Sequence, residues 1–127
     1  MKVILTILIS IAIIILYFVI SSLLQRRYLT TLTQEEFIKG YRKAQLIDVR
    51  EQSEFEAGHI LGARNIPLSQ FNFRMEKEIR KDKPVYLYDN TGFLSGRAAK
   101  KLHKKGYTDL VHLKGGFKKW TGKVKVK

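Results

Sequence analysis

Val85-Tyr86-Leu87-Tyr88-Asp89-Asn90-Thr91-Gly92-Phe93-Leu94-Ser95-Gly96-Arg97-Ala98-Ala99 is the stretch that decides the fold of this chain. An apolar run stops at a carboxylate, the backbone turns through Gly92, and a helix rich in small residues follows. Strand, turn and helix in that order build an anion cradle. Backbone N–H groups of the turn and of the helix N-terminus converge beyond the strand end, where partial positive charge collects. Such a cradle holds an anion or lowers the pKa of a nucleophile. Here its first position is Asp89, and the 127 residues include no cysteine. That excludes a disulfide, a thiolate metal site and a thiol nucleophile.

Pro84 opens the strand 85–88, and Ser95 to Lys105 reads as the helix after the loop, with Gly106 as its C′ residue. Upstream, Thr33-Gln34-Glu35-Glu36 has the capping-box pattern. The helix it opens presents Phe37, Ile38 and Tyr41 and ends near Arg42-Lys43. Leu46-Ile47-Asp48-Val49 reads as a buried strand, and Ser53 as the cap of a short helix stopped by Gly58. Ala63 to Pro67 reads as another short strand. Leu68 to Arg80 has helical spacing, with Phe71, Phe73, Met75 and Ile79 apolar. Leu110 to Leu113 is the last strand, before Gly115-Gly116 and a short helix carrying Phe117 and Trp120. Alternating strands and helices predict an α/β domain with a mainly parallel sheet covered on both faces.

The first two dozen residues stand apart from this domain. No charge interrupts Val3 to Leu24, and these 22 residues would span roughly 33 Å as a helix, enough for a hydrocarbon core of about 30 Å. A cleavable signal peptide is the competing reading. Its apolar region would be about 7–15 residues and would end at a small-x-small site. This run is longer and ends in Leu23-Leu24-Gln25-Arg26-Arg27-Tyr28, which favours an uncleaved anchor. Lys2 alone precedes the span, whereas Arg26, Arg27, Arg42 and Lys43 follow it, so the positive-inside rule places the domain in the cytoplasm. The expected division is a membrane helix over 1–24, a juxtamembrane connector over 25–32, the domain over 33–121 and a basic tail over 122–127. The formal charge of +13 suits a surface held beside anionic lipid headgroups. Nucleic-acid binding would need a recognition motif beside the basic tail, and none accompanies it.

Residues 33–121 resemble a single rhodanese-like domain of the sulfurtransferase superfamily. The matching stretches run in order: Leu46-Ile47-Asp48-Val49-Arg50-Glu51, Glu54-Phe55, Gly58-His59-Ile60, Gly62-Ala63-Arg64-Asn65-Ile66-Pro67, the strand–loop–helix at 85–102, and Leu113-Lys114-Gly115-Gly116-Phe117 with Trp120. The resemblance implies a five-stranded parallel sheet flanked by helices, with Asp48, Arg50, Glu54 and His59 as framework residues. Members that transfer sulfur carry a persulfide on the cysteine of a Cys-Arg-x-Gly-x-Arg-Ser loop. In this chain Asp89 takes the cysteine position, Asn90 the first arginine and Leu94 the second, while Gly92 and Ser95 match. The turn is kept; the nucleophile and the substrate-holding cations are not.

The degenerate loop Asp89, Asn90, Thr91, Gly92, Phe93, Leu94, Ser95 is therefore expected to lack catalytic residues, and no cofactor or metal is expected. A carboxylate at the mouth of converging N–H donors should bond to them itself and displace any external anion. The reading that follows is a membrane-anchored module, catalytically silent, that binds a protein through a tip made of Asn90, Thr91, Phe93 and Leu94. The alternative is an atypical enzyme, handling sulfur with a partner's thiol or accepting a phosphoryl group on Asp89. The latter would need a metal shell, for which Asp48 is the one second ligand in view. His59 is expected to be structural, His103 solvent-exposed and His112 a packing or hydrogen-bonding residue. Ser95 reads as a helix cap unless a base stands beside it.

Overall fold

The computed structural model describes residues 1–127. Helix α1 (Lys2–Gln25) is a single apolar rod with no residue buried against the domain. Two of its hydroxyls are satisfied internally, Thr6 Oγ1 donating to the Lys2 carbonyl at 2.8 Å and Ser10 Oγ to that of Thr6 at 2.9 Å. By length and composition it is the one helix able to cross a membrane.

The domain alternates β1 (Leu29–Leu32), α2 (Gln34–Gly40), β2 (Gln45–Asp48), α3 (Gln52–Ala57), β3 (His59–Ile60), β4 (Arg64–Asn65), α4 (Phe71–Glu78), β5 (Val85–Tyr88), α5 (Phe93–Lys104), β6 (Leu110–Leu113) and β7 (Val124–Lys125). Five strands form a parallel sheet in the order β1-β6-β5-β2-β4, and β3 and β7 form an antiparallel pair beside it. Period-two alternation splits the sheet's side chains between two cores. Val85 and Leu87 of β5 join Ile47, Leu110 and the inner faces of α4 and α5. Tyr88 joins Leu46, Val111 and Leu113 under Phe37, Tyr41 and Trp120. Small residues make α5 fit closely: Gly96, Ala98 and Ala99 are all buried.

Several boundaries differ from those the sequence suggests. Residues 29–32, read as part of a connector, are the edge strand β1, paired in register Leu29 to Leu110 through Leu32 to Leu113. The tail is likewise tied down, with Lys125 opposite His59 and Val124 opposite Ile60. The capping box at Thr33 forms, Glu36 N–H donating to Thr33 Oγ1 at 3.4 Å and Thr33 N–H to Glu36 Oε1 at 3.2 Å. Ser53 does not cap α3; Glu51 holds that position without a side-chain bond. Residues 68–80 divide into a 3-10 turn at 68–70 and a shorter α4, which leaves Phe73 exposed, as Ile38 is on α2. Helix α5 starts at Phe93, two residues before Ser95, with Gly92 at its N-cap at φ +106°.

Candidate active-site loop

The carboxyl ends of parallel strands are where open α/β sheets place their sites, and the loop 89–95 lies at the end of β5 beside the end of β2. Asp89 is 2% exposed. Its carboxylate accepts the Gly92 N–H on Oδ1 at 2.6 Å and the Leu94 N–H on Oδ2 at 3.0 Å. The donors that would receive an external anion are thus occupied by a side chain of the loop itself.

The rest of the loop is fixed from three sides. From below, Phe117 N–H donates to the Asp89 carbonyl at 2.7 Å and Lys118 N–H to that of Asn90 at 3.2 Å. That approach requires glycine at 116: its φ is +65°, and a Cβ there would strike the Asn90 backbone. From the side, Asn90 Nδ2 donates to Glu54 Oε2 at 2.6 Å, and Arg50 donates to Asn90 Oδ1 at 3.2 Å. Arg50 is itself anchored, its Nη2 lying 2.8 Å from Asp48 Oδ2 and 2.6 Å from the Gly58 carbonyl. Burial opposes the Arg50 charge, but the Asp48 carboxylate outweighs it and holds the guanidinium above its ordinary pKa. Asp48 also accepts the Arg50 backbone N–H at 2.9 Å, so its oxygens are fully engaged. His59 stacks on Phe55 with ring centroids 3.6 Å apart and bonds the Phe55 carbonyl through Nδ1 at 2.7 Å.

The third support is a relay that the sequence does not disclose. His112 on β6 lies 2.8 Å from Ser95 Oγ through Nδ1 and 2.8 Å from Thr31 Oγ1 through Nε2. Ser95 Oγ donates to the Gly92 carbonyl at 3.1 Å. Using each proton once then makes Nδ1–H the donor to Ser95 and Thr31 the donor to Nε2. Ser95 is therefore not a helix cap. It has a base beside it, yet it is fully buried with its proton committed to Gly92, so it pins the turn. Burial lowers the His112 pKa below the usual imidazole value, against the opposing pull of the Asp89 carboxylate and the nearby Gly92 backbone. His103 is exposed, with its ring stacked on Tyr28 at 4.0 Å. Of the four residues expected at the loop tip, only Thr91 and Phe93 are exposed. Leu94 packs against the core and Asn90 is half-buried in its bonds.

A parallel β1-β6-β5-β2-β4 sheet with its loop between β5 and α5 defines an α/β domain built around an anion cradle, here closed by its own aspartate. The chain belongs to the rhodanese-like family: residues 33–123 match the family described as Rhodanese-like domain. It is 61% identical over 121 residues to the uncharacterized protein YqhL of Bacillus subtilis, covering 95% of both chains. It is 37% identical over 95 residues to the probable adenylyltransferase/sulfurtransferase MoeZ of Mycobacterium tuberculosis, covering 72% of this chain and 24% of that one. The crystal structure of a thiosulfate sulfurtransferase from Pseudomonas aeruginosa superposes with a TM-score of 0.69 at 31% identity, over 77% of this chain and 20% of that one.

Two outcomes follow from this geometry. Asp89→Asn turns an acceptor oxygen into an N–H₂ facing an N–H, and we expect it to cost ~1–3 kcal/mol of unfolding free energy in urea titration. Wild-type stability in that variant would show that the bond lost with the replaced oxygen carries no weight. For His112, the unfolded imidazole takes a proton below about pH 6.5 while the buried one resists it. Its stabilisation is thus complete above that value and is lost as pH falls toward the lowered folded pKa. Unfolding free energy should decline as pH falls below about 6.5, and His112→Gln should reduce that decline. An identical slope in both proteins would refute the assignment.

Proposed function

We propose that this chain is a membrane-anchored rhodanese-like module without sulfurtransferase activity, which serves as a protein-binding or regulatory domain at the cytoplasmic face. One observation carries the reading: both oxygens of Asp89 are bonded to the N–H groups of its own loop. A persulfide or thiosulfate would have to occupy that same space. The absence of cysteine, with Asn90 and Leu94 in place of the cations that would hold the substrate, supports it further. The apolar α1 and the cations that follow it support anchoring with the domain inside. Net positive charge suits an anionic leaflet. A large exposed aromatic at the loop tip, Phe93, supports contact with another protein. Phosphoryl transfer through Asp89 is disfavoured because Asp48 is committed to Arg50.

The full chain in detergent should transfer sulfur from thiosulfate to cyanide no faster than a heat-inactivated sample. Asp89→Cys should yield a thiol that iodoacetamide alkylates, yet transfer should stay low until Asn90→Arg and Leu94→Arg are added. Turnover by the native chain would end this reading. For the partner, a photo-crosslinker placed at Phe93 in intact membranes should give a discrete protein adduct that the same group at Phe73 does not. Indistinguishable adducts from the two positions would remove the loop from recognition.

A further inference from the structure

The end of α1 is docked on the domain. The Gln25 side chain lies against Gly96 of α5, where a Cβ would come within 2.7 Å of its amide nitrogen. Three residues on, Tyr28 stacks on His103 of the same helix at an interplanar angle of 10°. These contacts place the aspartate-filled loop beside the last turn of the apolar helix.

Between them lies a cavity of about 330 Å³, lined by Gln25, Arg26, Thr31, Thr91, His112 and Lys114 among others. A second, of about 290 Å³, flanks the same helix end and is lined by Lys100 and Tyr28. Neither contains a carboxylate. Three well-formed cavities elsewhere on the domain each do, at Glu56, at Glu78, and at Glu51 with Glu54. Charge in the seam is therefore of one sign, whereas those three hollows mix cations with carboxylates. Arg26 and Lys114 form no ion pair within the chain. His112 contributes a wall, since both its nitrogens are taken by Ser95 and Thr31. If α1 crosses the bilayer, Ser22 to Arg26 stand at the depth of the headgroups.

We infer that the cavity between α1 and the loop binds the phosphodiester of an anionic phospholipid, with Arg26 and Lys114 on the phosphate and the Thr31 and Thr91 hydroxyls toward the headgroup. The lipid clamps the domain against its anchor and fixes which face of the loop is turned to the membrane. The inference rests on the anchor reading of α1 and goes beyond it by naming a site and a ligand. It adjoins the cradle at Gly92 but does not use the cradle's donors, since the Gly92 and Leu94 N–H groups are bonded to Asp89.

The test uses the full chain reconstituted in phosphatidylcholine vesicles with and without a minor fraction of phosphatidylglycerol. Carbonate extraction first asks whether the chain stays in the bilayer. Native mass spectrometry of protein released into detergent then counts retained phosphatidylglycerol. We expect one lipid per chain, an occupancy at least about tenfold lower in Arg26→Gln/Lys114→Gln, and no such loss in Lys77→Gln/Lys81→Gln, which removes equal charge elsewhere. Circular dichroism of each variant checks that it is folded. Retention that is absent, or equal in all three proteins, overturns the site while leaving the anchor standing. Displacement of the lipid by inorganic phosphate would assign the cavity to the free ion instead and overturn the lipid. Loss of the chain to the carbonate wash removes the anchor reading and the inference together.

Discussion

The bonds from Gly92 and Leu94 to the Asp89 carboxylate are the constraint on which the loop is built. A carboxylate buried to this degree is costly unless its oxygens are satisfied, and backbone N–H groups at a helix start satisfy it with charge-assisted bonds. Once they do, the turn's Gly92 and Leu94 N–H groups are paired within the loop itself. The surrounding structure reinforces that state: the 116–118 segment supports the loop backbone, Arg50 and Glu54 hold Asn90, and Ser95 with His112 pins Gly92. Each contact fixes a different atom group, so the loop is held as a finished structure.

The framework beneath it uses the same logic at larger cost. Asp48 and Arg50 are both almost wholly buried, and a buried ion pair is worth keeping only when its remaining donors and acceptors are met. Here the spare guanidinium N–H groups reach the Gly58 carbonyl and Asn90. Asparagine at 90 can accept from Arg50 and donate to Glu54 at once, which an arginine in that place could not do. The departure from the family's loop pattern is therefore consistent across neighbouring positions: an acceptor fills the cradle, and a neutral amide replaces a cation beside it.

Much of this was legible in the sequence, because the decisive signals are local. The apolar run into Asp89, the glycine turn and the small-residue helix are consecutive, and the Thr33–Glu36 capping box forms as its spacing predicts. The carboxylate's bonds span only three and five residues, so spacing alone could anticipate them. What the sequence hid is long-range. Thr31, Ser95 and His112 meet across separations of 17 and 81 residues, and no local pattern announces them. Strand β1 reads as a connector because only Leu29 is fully buried, Leu32 is half-buried and the two threonines between them are exposed. The pairing of β7 with β3 is invisible for a similar reason, its valine being half exposed among lysines. Phe73 and Ile38 fit a helical stripe by count but fall outside the face that packs, which only the tertiary arrangement decides.

Intact mass of the full chain, purified without reductant and then exposed to thiosulfate or to ATP with magnesium, addresses the closed cradle most directly. The account predicts the bare polypeptide mass under both conditions. Addition of one sulfur atom or one phosphoryl group, mapped to the 89–95 loop, would contradict it.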